Sequence, residues 1–157
     1  MKKISIPTVT MAAFILLFSR AFAAGPTLTQ VHDLNFGLFG MHDNKSVHTI
    51  TVSPDGTVVA DPVFAFAIQP QAGEYRLTEM PTNEALTIEL SSQETAAPTV
   101  TTSPLFTVKD FTANNPVTTD GSGNALVLVG ASLLTSGAGP YYQTDSYTGS
   151  YDLTIIY

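Results

Sequence analysis

The feature that most constrains this chain is a two-residue alternation in its last seven residues. The large apolar side chains are Tyr151, Leu153, Ile155 and Tyr157, and the residues between them are Asp152, Thr154 and Ile156. A period of two places successive side chains on opposite faces of a β-strand, so the pattern predicts a strand with one buried face. A glycine just before the alternation is expected where a bend lets the chain enter the sheet. We predict that this structural or assembly strand is an interior strand of the fold, and that it depends on Gly149, Tyr151, Leu153, Ile155 and Tyr157.

Similar alternations recur along the chain, and no segment shows sustained helical periodicity. Short alternating segments separated by Pro, Gly and Asp turns are typical of antiparallel sheets. They predict an all-β fold of about eight or nine antiparallel strands, a β-sandwich of immunoglobulin-like or jelly-roll topology. The expected segments include a first strand over residues 27–38, a hairpin of residues 47–52 and 57–60 around Ser53-Pro54-Asp55-Gly56, a central core strand over residues 63–69 and an exposed loop over residues 91–104.

The first 23 residues are typical of a secretory signal peptide. Lys2 and Lys3 precede an apolar run, and Ala21-Phe22-Ala23 has the small-x-small pattern of a cleavage site. Spanning a membrane takes about 20 apolar residues, and Arg20 ends this run too early for that. The sequence therefore predicts one mature domain, residues 24–157, that does not insert in a membrane after cleavage. We expect it in the periplasm, at the cell surface or in the extracellular space.

The charge and cysteine content exclude several classes of function. After removal of residues 1–23, three Lys or Arg residues remain against 13 acidic residues, which gives a net charge of −10. This balance disfavours binding to nucleic acid or to anionic lipid. The chain has no cysteine, which excludes thiol nucleophiles, thiolate metal sites and disulfides. The domain must therefore be held together by packing alone.

Two pairs of a histidine and a carboxylate are candidate metal ligands. His32-Asp33 and His42-Asp43 each join the two residue types, and His48 follows a few residues later. Such side chains can bind zinc, but the three histidines are expected on a strand, a loop and another strand, with no spacing that makes them converge. We interpret them as solvated residues and predict no metal site.

Two further patterns are candidates for calcium binding and for catalysis. Asp120, Ser122 and Asn124 offer oxygens at alternate positions, as calcium loops do, but the later Glu is missing and the stretch is typical of a turn. Gly121-Ser122-Gly123 does not match the strand–turn–helix setting of a hydrolase serine. We therefore predict no catalytic and no cofactor-binding residue, no cofactor, and a protein that is not an enzyme.

Three tyrosines beside a glycine-rich loop, Tyr141, Tyr142 and Tyr147, allow two interpretations. They could form an aromatic patch that contacts a sugar or a peptide. They could also serve core and edge packing, which is the simpler interpretation.

Several short motifs, in this order and spacing, resemble a bacterial secreted family catalogued as domain of unknown function 4402. The resemblance implies an exported all-β domain of Gram-negative bacteria without an established activity. The motifs are Leu34-Asn35-Phe36-Gly37, residues 51–57, Tyr75-x-Leu77, Val108-x-x-Phe111, residues 126–133, and Tyr147-x-Gly149-x-Tyr151 through Tyr157.

The ending is also similar to that of pilin-like and spore-coat-U-type subunits of chaperone–usher fibres. In such fibres an extended N-terminal arm completes the incomplete sheet of a neighbour. The resemblance implies identical or related surface subunits and a periplasmic chaperone as partners. This sequence departs from the pattern, because residues 24 to about 29 are too short for a full arm of this kind and no disulfide is possible. The leading hypothesis is a structural subunit of a surface fibre or coat, and the alternative is a secreted monomeric module that binds glycan or protein through its loops.

Overall fold

The computed structural model describes residues 3–6, 25–99 and 103–157, with residues 3–6 described by their backbone alone. The rest of the predicted signal peptide, including its cleavage site, lies outside these ranges. All regular secondary structure within these ranges is β-strand, and all strand pairs are antiparallel, which confirms the all-β prediction. The described residues contain no helix with the length and apolar character needed to cross a membrane. The strands are β1 (Lys3–Ile6), β2 (Thr27–His32), β3 (Leu38–Met41), β4 (Thr49–Val52), β5 (Val58–Ala60), β6 (Phe64–Ile68), β7 (Gly73–Thr78), β8 (Ala85–Leu90), β9 (Gln93–Pro98), β10 (Phe106–Ala113), β11 (Val117–Thr118), β12 (Ala125–Leu134), β13 (Tyr147–Thr148) and β14 (Leu153–Ile156).

The strands form two main sheets and a separate two-stranded sheet. The smaller sheet has the order β1-β14-β8-β11. The larger sheet is built on β12, which pairs with β10 along one edge and with β7 and β4 along the other. Beyond these lie β9 and β13 on the β10 side, β2 next to β7, and β5 next to β4. The strands β3 and β6 pair with each other.

The strand β12 divides into two halves at Gly130. Residues 125–129 pair with β7 and residues 131–134 pair with β4. A Cβ at position 130 would lie 2.2 Å from the main-chain oxygen of Val52. The end of β4 can therefore approach β12 this closely only because residue 130 has no side chain.

The inter-sheet core lies between the smaller sheet and the β7–β12 side of the larger one. It combines side chains from β7, β8, β12 and β14, so the two sheets pack face to face as a β-sandwich. Its buried members are Leu77, Met80, Leu86, Val117, Val127, Val129, Leu153 and Ile155.

A second core, named the hairpin core after the β4–β5 hairpin that contributes to it, lies in the other half of the larger sheet and includes residues of β3 and β6. Phe39 of β3 packs edge-on against Phe64 and Phe66 of β6, with ring centroids 5.2 and 5.9 Å away, and against Phe106 of β10 at 6.0 Å. Edge-to-face contacts between aromatic rings at such distances are energetically favourable. The buried members are Ile50, Val63, Phe64, Ala96, Phe106, Val108, Ala131 and Leu133.

The hairpin predicted around residues 53–56 is confirmed. β4 and β5 pair antiparallel, and the Gly56 amide donates a 2.9 Å hydrogen bond to the oxygen of Ser53. Gly56 has a φ of +84°, a conformation that glycine adopts without steric cost. The Asp55 carboxylate accepts the Thr57 amide at 2.9 Å, which lowers the pKa of Asp55.

The prediction of one first strand over residues 27–38 is wrong. The chain forms β2 and β3 instead, and Gly37 between them has a φ of +83°. A register shift follows between Leu38 and Phe39, so Phe39 faces the hairpin core while Leu38 is 57% exposed. The alternation of large residues continued through this break, which is why the pattern did not mark it.

The prediction that residues 63–69 form a central core strand is also wrong. β6 pairs with β3 alone among the described strands. Phe64 is buried, but Ala65, Ala67 and Ile68 are exposed. Apolar side chains on both faces therefore do not mark a central strand here.

The exposed loop predicted over residues 91–104 is wrong in part, because it contains β9. This strand pairs with β10 on one side and with β13 on the other, and Ala96 is buried. The described residues contain fourteen strand segments, one of them in the predicted signal peptide, which is more than the eight or nine expected. The difference reflects the break between β2 and β3, the strand β9, and the two-residue strands β11 and β13.

Candidate functional site: the edge of the C-terminal strand

The strand β14 has one face buried in the inter-sheet core. Leu153 is 7% and Ile155 4% exposed, whereas Thr154 and Ile156 are half-buried and Asp152 is exposed. The alternation in the sequence thus corresponds to an alternation in burial. Tyr157, half-buried, is packed against the same core.

On its inner edge β14 pairs with β8. Leu153 lies opposite Leu90, Thr154 opposite Glu89 and Ile155 opposite Ile88. Directly opposed residues of an antiparallel pair share a face of the sheet. The aliphatic pairs therefore point into the core, and Thr154 and Glu89 point away from it.

Gly149 and Tyr151 lie just before β14 and fix how the chain enters it. A Cβ at residue 149 would lie 2.7 Å from the main-chain oxygen of Thr95 in β9, so this close approach requires glycine. The hydroxyls of Tyr151 and Tyr75 form a 2.6 Å hydrogen bond, and the Tyr151 ring is 5.2 Å from that of Phe111. Burial, together with this hydrogen bond, raises the pKa of Tyr151 far above its ordinary value. Burial also raises the pKa of Tyr75, so both phenols stay protonated and share their hydrogen bond.

On its outer edge β14 pairs with β1. The register runs from Lys3 opposite Ile156 to Ile6 opposite Leu153, and β1 is the only strand in the described part of the chain that pairs with this edge. β1 lies within the predicted signal peptide. Removing residues 1–23 would therefore leave a row of unpaired main-chain amides and carbonyls, which is a template for pairing with another strand.

An apolar cleft lies beside β14, between this strand and the β2–β7 part of the larger sheet. Its walls come from the start of β2, from β7 and the residues after it, and from β14. The enclosed space is about 20 Å³, enough for about one water molecule. It suits packing of side chains from a strand at the edge better than a small ligand. The lining residues are Pro26, Thr27, Leu28, Leu77, Met80, Leu153 and Ile155.

The histidines considered as metal ligands do not converge. His48 lies near two carboxylates, with Nδ1 3.5 Å from Asp61 and Nε2 3.8 Å from Asp43, whereas the side chains of His32 and His42 are exposed. No group of three or more His, Cys, Asp or Glu side chains in the described ranges could hold a metal ion. One oxygen of Asp61 also accepts the Thr49 amide at 2.8 Å, so this cluster ties the start of β4 to the loop after β5.

The carboxylate considered as a calcium ligand closes a turn. Asp120 accepts the amides of Ser122 and Asn124 at 2.8 and 2.9 Å. These two hydrogen bonds lower the pKa of Asp120. The pattern of alternate oxygens therefore corresponds to ordinary turn chemistry.

Two of the three tyrosines weighed as an aromatic patch pack in the fold. Tyr142 stacks on Phe106 with centroids 4.0 Å apart, and Tyr147 meets the same ring edge-on at 4.8 Å. Tyr141 is 59% exposed. The three side chains therefore do not form one binding surface.

Sequence reasoning missed a buried asparagine. Asn44 is 1% exposed, and its amide nitrogen donates to the hydroxyl of Ser136 at 3.1 Å and to the oxygen of Pro140 at 2.6 Å. Its side-chain oxygen accepts the Gly137 amide at 3.1 Å. These bonds hold the loop after β3 against the loop after β12. A polar residue in a polar stretch gave no sign of this role, because its partners lie more than 90 residues away.

Comparison with known protein families gave a match. A family model described as a domain of unknown function (DUF4402) matches residues 27–157, the stretch from the start of β2 through β14. This confirms the resemblance drawn from the motifs. No curated protein and no solved structure matches the chain.

Proposed function

The chain belongs to the family described as a domain of unknown function (DUF4402), and from that premise and its edge geometry we propose that it is an exported structural subunit. It would contribute to a surface fibre or coat of a Gram-negative cell and would not act as an enzyme. The observation that carries the proposal is the pairing of β14 with β1, a strand of the predicted signal peptide.

Export would convert this pairing into an assembly site. A sheet edge that loses its covering strand can accept a strand from a partner, with main-chain hydrogen bonds supplying affinity and alternate side chains supplying specificity. In β14 the alternate side chains are Leu153 and Ile155, and the apolar cleft lies beside them. These features support a subunit that is completed by another chain.

The N-terminal arm of a neighbour fits this edge less well than it would in a pilin. Residues 27–32 form β2 and pair with β7 of their own chain, so only residues 24–26 would precede β2 in the processed protein. Three residues cannot pair along β14. The incoming strand must come from another part of a subunit or from a chaperone.

Export and assembly can be tested together with the full 157-residue chain in a Gram-negative host. We expect mass spectrometry to find a product that starts at Ala24, and electron microscopy of antibody-labelled cells to find it in surface assemblies. A product that keeps residues 1–23, or one found only as dispersed protein inside the cell, would contradict the proposal. Replacing Ala21 and Ala23 with Leu removes the cleavage pattern and is the control for processing.

The exposed ring of Tyr141 favours a second function, a secreted module that binds glycan or protein. This side chain is 59% exposed and follows the loop that Asn44 anchors. Exposed aromatic rings on anchored loops are typical contact residues for ligands. A glycan array that gives binding with the processed protein and none with Tyr141→Ala would favour this function over the structural one.

A further inference from the structure

The strand that covers the outer edge of β14 has a simple chemical pattern. Opposite Ile156, Ile155, Thr154 and Leu153 lie, in turn, a charged residue, an aliphatic one, a hydroxyl residue and an aliphatic one. The two aliphatic positions, 4 and 6, are in register with Ile155 and Leu153, the side chains of β14 that enter the inter-sheet core. The strand order and the pattern together define what this edge accepts.

The same pattern occurs within the C-terminal strand region itself. Residues 152–155 read Asp, Leu, Thr, Ile, which is again charged, aliphatic, hydroxyl and aliphatic. When a second copy of this segment runs antiparallel to the first with the two Thr154 residues opposite each other, Leu153 of each copy lies opposite Ile155 of the other. Opposed residues share a face, so all four aliphatic side chains point toward the buried side. A slip of one residue would move them to the outer face.

We propose that two processed copies of this chain pair through the outer edges of their β14 strands, about a two-fold axis at Thr154. The second copy occupies the positions that β1 occupies here, and the two smaller sheets become one continuous sheet. This inference rests on the proposed function, because the edge is free only when the leader has been removed. The contact is closed, so a fibre or coat built from such dimers would grow through a different surface.

The charge of the chain does not oppose this contact at the axis. Two copies of Asp152 would be separated by four residue steps, about 13 Å at about 3.3 Å per residue. The screening length at physiological ionic strength is about 8 Å. The repulsion between these carboxylates is therefore weak, and no other charged side chain occurs in residues 151–157.

Single-cysteine variants test the axis directly, since the natural chain has no cysteine. Opposed Cα atoms in antiparallel strands are about 4.5–5.5 Å apart, within the range of about 4.4–6.8 Å that a disulfide requires. We expect exported Thr154→Cys to form a covalent dimer on oxidation, seen on a non-reducing gel. Asp152→Cys on the same chain and Thr87→Cys on β8 are matched controls and should stay monomeric.

The results separate a failure of the inference from a failure of the proposed function. Mass spectrometry first establishes that the product starts at Ala24. A processed protein in which Thr154→Cys stays monomeric, or crosslinks no more than the two controls, would overturn the β14 pairing. A product that retains residues 1–23 would instead count against export.

A charge placed on the axis gives a second, independent measurement. Thr154→Lys lies opposite Glu89 in its own subunit, so the monomer tolerates it, but in the dimer two lysines would oppose each other. We expect sedimentation equilibrium to show dimers of the processed wild-type chain, and dimerisation weakened at least about tenfold in Thr154→Lys. Circular dichroism should show both proteins folded. A monomeric wild-type chain, or an undiminished dimer in the variant, would overturn the inference.

Discussion

Replacing Ile155 with Ala removes three carbon atoms from the buried face of β14. Ile155 is 4% exposed and belongs to the inter-sheet core. Each buried carbon group contributes about 0.8 kcal/mol, so the transfer loss is about 2.4 kcal/mol. The cavity left behind adds to this, and we expect a total loss of about 3–4 kcal/mol in the free energy of unfolding.

The neighbouring residue provides the matched control, because Ile156→Ala removes the same atoms from the opposite face. Ile156 is half-buried and lies opposite Thr87, so we expect a loss of about 1 kcal/mol. Both changes are best made with Thr154→Lys present, so that association between subunits contributes to neither value. The two variants differ only in which face of one strand they change.

Urea denaturation followed by circular dichroism measures both losses. We expect similar slopes of free energy against urea for the two variants, and a melting temperature of Ile155→Ala lowered by about 10 °C or more. If Ile156→Ala proved as costly as Ile155→Ala, the burial assigned to β14 would be wrong. A loss below about 1 kcal/mol for Ile155→Ala would contradict it equally.

Three further outcomes are expected. Asn44→Ala should lower the free energy of unfolding by about 2–4 kcal/mol in urea denaturation, because it removes three hydrogen bonds and deprives the Gly137 amide and the Pro140 oxygen of their partner. Gly130→Ala should give much less soluble protein than Gly121→Ala, or a much lower melting temperature. The new Cβ at residue 130 would lie 2.2 Å from the main-chain oxygen of Val52, whereas a Cβ at residue 121 would have no atom within 4 Å. The raised pKa of Tyr151 means that the folded state keeps its phenol proton while the unfolded chain loses it near pH 10, so stability should fall as the pH rises above about 10. Tyr151→Phe should reduce that fall when unfolding is measured from pH 8 to 11, and an unchanged dependence would mean that the phenol is not buried as described.

Local patterns predicted those parts of the fold that depend on neighbours in sequence. The turn at Pro54, Asp55 and Gly56 needs only the conformations that these residues prefer. The alternation in the last residues needs only a strand with one buried face. Both were therefore predictable from the sequence.

Parts that depend on distant residues were missed. β9 consists of small and polar residues, and it is a strand because β10 and β13 pair with it on both sides. β6 has apolar residues on both faces, but within the described residues it has a partner on one edge only. Burial and pairing at these positions are set by tertiary neighbours, which override local preference.

The sequence predicted the residues of the candidate site but not the strand that pairs with its outer edge. The sequence placed the alternating side chains on one strand, and the structure adds which edge of that strand is covered and by what. No periodicity within residues 151–157 could indicate a strand near the opposite end of the chain. The match between residues 3–6 and 152–155 becomes visible only once the register is known.

The division of β12 at Gly130 has a consequence for how the domain comes apart. Val127 and Val129 belong to the inter-sheet core, while Ala131 and Leu133 belong to the hairpin core. The strand β12 thus contributes residues to both hydrophobic clusters. Loss of packing in either cluster would therefore disturb a strand that the other cluster also needs. In hydrogen–deuterium exchange, the main-chain amides along this strand should be the slowest in the protein, released together when the whole domain opens.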